Sequence, residues 1–490
     1  MMRWVREHRG LVIGALAIVA AAGGLLLYDT FFREEPAAYF DSDEEHFLYG
    51  SIGTESQEGI PYWIWLVLPR LFPEYLPGPG GWASLGIHAQ PNHEMPIGLS
   101  KVTIGFPRVA INCAMCHVTS VRTSVDAPPM LVPGGTSNTT SPQQYLRFLL
   151  ACASDPRFTA DVILGEIAKS HRFSAYDRLV YRFVIIPRTR QGLLEVKARE
   201  SWMDKNPDWM RGRIDPFNPV KFRYLKQPID GTIGNSDMMP LWNLGTREGA
   251  NRAFHWDGLN TTLREVVLSS AIGDGTATKW VERDLARWDS TDRRNQSSLR
   301  RIQDYIARLQ PPKYPLPIDA ALSARGAVTY KAQCASCHDT GGERTGTVIP
   351  LDEVGTDRHR LDMWTKGSAD AYNGYTASYS WKLTHFQKTA GYVSVPLEGL
   401  WLRAPYLHNG SVPTLADLLA PPEARPTQFW RGYDLLDPVK VGFVSDGPAA
   451  EAMGSHIDTT WPGNGNGGHT WGTTLPAEEK RALVEYLKTL

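Results

Sequence analysis

The chain has 490 residues, 42% hydrophobic and 21% charged, which is enough for two or three globular domains. Its 51 Lys and Arg balance 52 Asp and Glu, for a formal charge of −1, so the overall field excludes a protein built to bind nucleic acid through a strong basic surface. The 44 glycines and 35 prolines imply many turns and long loops rather than a plain helical bundle.

The chain opens with Arg3, Arg6 and Arg9, followed by an uncharged run from Gly10 to Tyr28 and then Asp29, Arg33, Glu34 and Glu35. The run is long enough to predict one transmembrane helix within residues 1–35. The arginines on its N-terminal side keep that side cytoplasmic, so the rest of the chain is expected outside the cytoplasm, on the periplasmic face of a bacterial inner membrane. A rival reading is a cleaved signal peptide ending near Ala20-Ala21-Ala22. Against it, Gly23-Gly24-Leu25-Leu26-Leu27 carries the apolar run further. Export is expected on either reading.

A lead-in rich in Pro, Gly and Trp (residues 36–112) precedes Cys113-Ala114-Met115-Cys116-His117. C-x-x-C-H is the attachment signature of covalent haem c: the two thiols add to the porphyrin vinyl groups and the histidine reaches the iron. The stretch from Thr119 to Ile233 reads as a mostly helical insertion. Its clearest helix starts at Pro142, with Ser141 as the expected N-cap. Cys152, the cysteine left over, sits in Leu149-Leu150-Ala151-Cys152-Ala153 and is expected to be buried and inert. Next come Pro240-Leu241-Trp242-Asn243, Phe254-His255-Trp256-Asp257-Gly258 and Thr262-Leu263. Residues 302–309 then show apolar positions on one helical face. Gln310 to Pro317 holds four prolines, which cannot continue a helix and predict a stiff linker.

Beyond the linker the pattern repeats. Cys334-Ala335-Ser336-Cys337-His338 is a second haem signature, so two haems and two irons are expected. Pro396-Leu397-Glu398-Gly399, Tyr406-Leu407-His408-Asn409-Gly410 and Thr414-Leu415 echo the earlier segments, and residues 483–490 echo the helix at 302–309. Zinc binding and a redox dithiol are the competing readings of C-x-x-C. A zinc site places its second ligand pair nearby, and a dithiol explains neither the following histidines nor the duplication.

These segments resemble the di-haem cytochrome c peroxidase superfamily, which includes the MauG-type enzymes. Leu400 to Leu415, Phe429-Trp430-Arg431-Gly432-Tyr433-Asp434 and Gly463-Asn464-Gly465-Asn466-Gly467-Gly468-His469 are most similar to its rubber oxygenase (latex-cleaving) branch. The resemblance runs from about residue 95 to the end. It implies a mainly α fold: two cytochrome c-like haem domains with long loops after the N-terminal helix. The boundaries are then 1–35 for the anchor, 36–310 for the first haem domain with its insertions and 311–490 for the second. The resemblance also implies a reactive N-terminal haem with a displaceable sixth position, and a C-terminal haem that relays electrons. His117 and His338 are the expected proximal ligands and His469 the sixth ligand of the second iron. His408 is expected beside a haem propionate, and Trp256 at the first haem on an electron path to the second. A redox partner protein or small electron donor completes the expected cast, and a calcium ion is possible in this superfamily but not legible here.

The chain departs from peroxide-cleaving relatives. The positions of their distal glutamine and glutamate fall near Val266 and Thr276, which cannot shuttle a proton. Glu265 is one residue away and so turned by about 100° on a helix. Asp274 serves only if the loop has slipped. Ser269 to Gly273 offers no aromatic ring over the iron. The expectation is an oxidoreductase that activates dioxygen and oxidises an apolar organic molecule. A peroxide-driven enzyme and a non-catalytic, membrane-anchored electron carrier are the alternatives.

Overall fold

The computed structural model describes residues 8–247 and 252–490. Arg3 and Arg6, expected to orient the N-terminus, lie outside them. The apolar run folds as helix α1 (Arg9–Phe31), and Leu11, Ile18 and Leu25 on it are exposed. Among the described residues, however, no helix is long and apolar enough to cross a membrane. The expected transmembrane anchor is therefore withdrawn. Composition supplies the reason: nine of the 23 residues of α1 are Ala or Gly, whose side chains carry little transfer free energy, and the run turns polar at Asp29 and Thr30. Past α1 the chain docks on a hairpin, where Gly105 N donates to Arg33 O at 2.8 Å and Glu35 N to Thr103 O at 2.9 Å.

The expectation of a mainly α fold is also corrected. Among the described residues, helices alternate with one three-stranded sheet and five two-stranded ones, and the ladders are antiparallel. Tight turns make these hairpins possible. In β2 (Leu99–Ile104) and β3 (Phe106–Ile111) the link is one residue, Gly105, at φ +71°, where a side chain would be strained. β1 (Ile60–Pro61) adds to the outer side of β3.

Helix α2 (Asp43–Tyr49) packs its Phe47, Leu48 and Tyr49 into the first core. The lead-in and the insertion share a separate core. It joins α3 (Tyr62–Leu71), α4 (Pro142–Ser154) and α5 (Ile186–Arg199) around Trp65, Phe148 and Leu193. α4 starts at Pro142 as predicted, but Ser141 makes no side-chain cap. Cys152 is fully buried in this core, and burial raises its thiol pKa.

α6 (Leu263–Gly273) and α7 (Ser298–Arg308) complete the first core through Leu263, Leu268, Leu299, Ile302 and Ile306. α7 begins where Asp284 collects Ser297 Oγ at 2.5 Å, Ser298 N at 2.9 Å and Leu299 N at 3.1 Å. The linker after it is not helical. In the second half, α8 (Ala320–Gln333) crosses the final helix, α9 (Ala477–Leu487). A Cβ on Gly326 would sit 1.9 Å from Ala482 O, so the crossing needs glycine. Both halves reach into each other. Trp364, Tyr372 and Phe386 from beyond the linker belong to the first core, while Val121, Val132 and Trp242 from before it belong to the core of the second half.

Candidate functional site

The first C-x-x-C-H follows β3. Asn112 caps the turn: its Oδ1 accepts from Ala114 N at 3.0 Å, and its Nδ2 donates to Gly50 O at 3.0 Å and Leu48 O at 3.3 Å. Cys113, Cys116 and His117 thereby come to line a cavity of about 260 Å³, with Val266, Ser269 and Gly273 of α6 also on its wall. Burial pushes the Cys113 thiol up to about 12 and Cys116 well above its usual range. Thiols so poor in thiolate do not make a redox dithiol. Burial lowers His117 to about 4, so its ring is neutral, the form that ligates metals.

The cavity has an aromatic wall that Ser269 to Gly273 alone did not suggest. Phe217 stacks on Trp364 at 4.9 Å, and Tyr372 meets Phe386 edge-on at 4.8 Å. All four rings line the cavity. Their positions are far apart in the chain, so no local signal marks them. Arg247 and Arg360 are buried in the same wall, each with an Nε that has no partner among the described residues. Arg360 also bonds Asp257 at 3.0 Å and Ser236 Oγ at 2.8 Å. Guanidinium Nε donors open beside an apolar slot fit a flat apolar ring bearing carboxylates, as a haem does.

Val266 lines the cavity, as its place on α6 implies. Thr276 donates to Ile52 O at 2.8 Å. Glu265 is engaged elsewhere, accepting from Asn260 Nδ2 at 2.9 Å and Thr384 N at 2.9 Å. Asp274 does reach the cavity, and burial pushes its carboxyl up to about 7. His255 lines it too, at φ +64° and with an unpartnered Nε2. His88, His93 and His171 are occupied by Thr139, Tyr49 and Trp63.

The second C-x-x-C-H caps the C-terminal end of α8. His338 Nδ1 donates to Val395 O at 2.7 Å, which leaves Nε2 free to bind a metal. Met239, at the equivalent place in the repeat, has its backbone beside His117, where it opposes the effect of burial. The two repeats share unusual backbone: His255 and Leu407 lie at φ +64° and +69°, Gly258 and Gly410 at +68° and +62°. Opposite His338 stands His469, with ring centroids 6.1 Å apart. Two imidazoles sharing one iron need about 6 Å, since each nitrogen sits about 2 Å from the metal and its ring centroid about 1 Å beyond. His469 is held at φ +45° behind Gly468 at φ +73°, where a Cβ on Gly468 would lie 2.3 Å from Gly355 C. Arg425 ties this loop down through Asn466 O at 2.6 Å, Gly468 O at 2.9 Å and His469 O at 3.2 Å. Nothing in the sequence pattern singled out Arg425.

His408 is buried. It stacks on Tyr392 at 3.9 Å and its carbonyl accepts from Asp237 N at 2.8 Å. Trp256 lines the first cavity and donates Nε1 to Asp237 O at 2.7 Å. Its carbonyl accepts from Val393 N at 2.7 Å, two residues before the carbonyl that holds His338. Among the described residues no group of three or more His, Cys, Asp or Glu could hold a metal ion, so the possible calcium finds no site of that kind.

Comparison with known proteins bears on the C-terminal part of the chain. Residues 391–431 match a family model described as RoxA-like, cytochrome c-like, and a domain of that kind implies haem c. The segment contains Val395, His408 and Arg425. Two proteins of Sinorhizobium fredii (strain NBRC 101917 / NGR234), Uncharacterized protein y4iJ and Uncharacterized protein y4iM, are each 30% identical to the chain over 37% and 38% of its length. The matched parts span 41% and 53% of those relatives, about half their length. What the findings establish is a RoxA-like, cytochrome c-like segment in the C-terminal part of the chain, pointing to a cytochrome-type oxidoreductase.

Proposed function

We propose that this chain is an exported di-haem c-type oxidoreductase. Cys113, Cys116 and His117 would hold one haem, and Cys334, Cys337, His338 and His469 would hold the other, which would serve for electron transfer. The observation that carries this reading is the asymmetry of the two sites. His338 faces a second imidazole at 6.1 Å, whereas His117 opens on an aromatic-walled cavity. A c-type haem, once bound, supplies an iron that changes oxidation state and takes a small ligand at a free position. The residues do the rest. Arg247 and Arg360 offer donors to the propionates. Phe217, Trp364, Tyr372 and Phe386 keep water out and favour an apolar substrate. Trp256 lines the first cavity and its carbonyl accepts from Val393 N, two residues before the carbonyl that holds His338, which suits an electron path. An oxidoreductase that uses dioxygen on an apolar organic molecule fits this wall best, with an electron donor outside the cytoplasm, where bacteria attach haem c.

A peroxide-driven reaction is the second reading, and Asp274 favours it. A carboxyl poised near neutrality inside the cavity can take and return a proton, help worth about 10²–10⁴-fold in rate. Stopped-flow mixing of the reduced protein with carbon monoxide, dioxygen and hydrogen peroxide separates the two. Carbon monoxide and dioxygen are expected to bind one haem, with peroxide reacting slowly. Fast peroxide reduction with turnover of a small electron donor establishes the second reading instead. Absence of ligand binding to either iron leaves an electron carrier.

A further inference from the structure

The first cavity owes part of its wall to a segment of the other half of the chain. Residues 383–387 belong to no helix or strand. Thr384 and His385 face solvent, while Phe386, next after them, is buried and lines the cavity. The segment is thus a strap lying over the space that His117 opens on. Its middle is fastened by one carboxylate on α6, and its ends by Thr376 Oγ1, which accepts from Leu383 N at 2.8 Å, and by Asn373 Nδ2, which donates to Phe386 O at 2.9 Å. Glu265, 6% exposed, accepts from Thr384 N at 2.9 Å, Thr384 Oγ1 at 3.1 Å, His385 N at 3.1 Å and His385 Nδ1 at 2.6 Å. Asn260 Nδ2 steadies the same carboxylate at 2.9 Å. At the inner end, Asn373 Oδ1 accepts from Phe386 N at 3.2 Å, and Gln387 N donates to Leu259 O at 2.9 Å. A carboxylate buried to this degree and given to two consecutive backbone N–H groups is a fastening, since charge-assisted bonds are about twice as strong as neutral ones.

We infer that Glu265 is a positioning residue for the first cavity: by holding the strap 383–387 it keeps Phe386 in the wall and so sets the size of molecule that enters. This rests on the reading of that cavity as the reactive haem site. Its position, one residue from Val266, is what turns it from the cavity to the strap, because neighbours on a helix point about 100° apart.

The test uses the full-length haem-loaded protein and two neutral ligands of ferrous haem, carbon monoxide and the bulkier tert-butyl isocyanide. Glu265→Ala is expected to speed isocyanide entry about tenfold and carbon monoxide entry by less than about threefold, because a strap that opens more often admits large molecules preferentially. Amide exchange at Thr384 and His385 is expected to rise in the same variant while α6 stays protected. Glu265→Gln keeps an oxygen that accepts from those amides, so it is expected to restore most of the wild-type size preference. Phe386→Ala leaves the fastening intact and is expected to admit the isocyanide as Glu265→Ala does. An unchanged ratio of the two rates in both Glu265→Ala and Phe386→Ala overturns the inference, as does unchanged exchange at Thr384 and His385. If carbon monoxide binds neither haem of the wild type, the reactive-cavity reading fails, and the role in selecting ligands fails with it; normal carbon monoxide binding with an unchanged ratio fails the strap alone.

Discussion

His469 sits in a left-handed backbone conformation that non-glycine residues seldom adopt, and its neighbour Gly468 leaves no room for a side chain. The loop accepts that strain because Arg425 bonds its carbonyls, and the outcome is an imidazole poised opposite His338. Removing the ring in His469→Ala is expected to turn the second haem from low-spin to high-spin or water-ligated, seen in the visible and electron paramagnetic resonance spectra. Its reduction potential is expected to rise, because a lost nitrogen donor stabilises the oxidised iron less. Asp274 makes a different prediction. Its carboxyl has a folded-state pKa near 7, above the ordinary value of 3.8, so the folded protein holds the proton more tightly than the unfolded one. The contribution to stability is therefore complete below about pH 4 and lost as pH rises toward 7 and beyond. Asp274→Asn removes the titration. The variant is expected to exceed the wild type in stability at pH 8, by roughly 2–4 kcal/mol, and to match it near pH 4. Denaturant unfolding at the two pH values checks this.

At the scale of elements, the second half hangs on the crossing of α8 and α9. The helices approach until Ala482 O would lie 1.9 Å from any Cβ at Gly326. Gly326→Val must push them apart, away from Tyr330 and Leu483, both buried in the same core. A loss of roughly 2–4 kcal/mol is expected, the range for overpacking with backbone displacement, measurable as a lower midpoint in thermal unfolding of the chain. Since α8 leads directly into Cys334, the variant is also expected to take up less haem at the second site. By contrast α4, whose Ser141 provides no side-chain cap, gains its stability from Phe148 and Leu149 packed in the insertion core.

At the scale of the whole molecule, the two halves are not separable beads. Trp364, Tyr372 and Phe386 from beyond the linker close the cavity at His117, while Val121 and Trp242 support the second half. Two haems per chain are expected in an alkaline pyridine spectrum. Cys113→Ser and Cys334→Ser are each expected to leave one, because each C-x-x-C-H binds its own ring. The interlock adds a further expectation: losing the second haem in Cys334→Ser also loosens the wall of the first cavity, so carbon monoxide binding at the remaining haem becomes faster. A mutant with one haem and wild-type binding rates would show that the halves act independently.

The local chemistry was legible in the chain itself. The two C-x-x-C-H motifs, the repeat that follows each and the helices near residues 302 and 483 depend on neighbouring residues, so spacing reveals them. The pattern also picked out His469, through its glycine-rich approach and its place before the last helix, and the structure sets its ring 6.1 Å from that of His338. What lay hidden is of another kind. The aromatic wall comes from residues 217, 364, 372 and 386, brought together only when the halves interlock. Arg425 acts through loop carbonyls, which leave no pattern in side chains. Glu265 and Val266 are adjacent in sequence, yet one fastens a strap and the other faces the cavity. Asp274 lines that cavity because α6 ends where it does, a boundary that periodicity locates only loosely. The helical run near the N-terminus read as a membrane span on length and lack of charge, and its many alanines and glycines weaken that reading. Sequence determined which side chains offer haem attachment, because C-x-x-C-H is a covalent and local signature; only the tertiary structure decided that His338 faces a second imidazole while His117 opens on a cavity, because that depends on contacts between residues far apart in the chain.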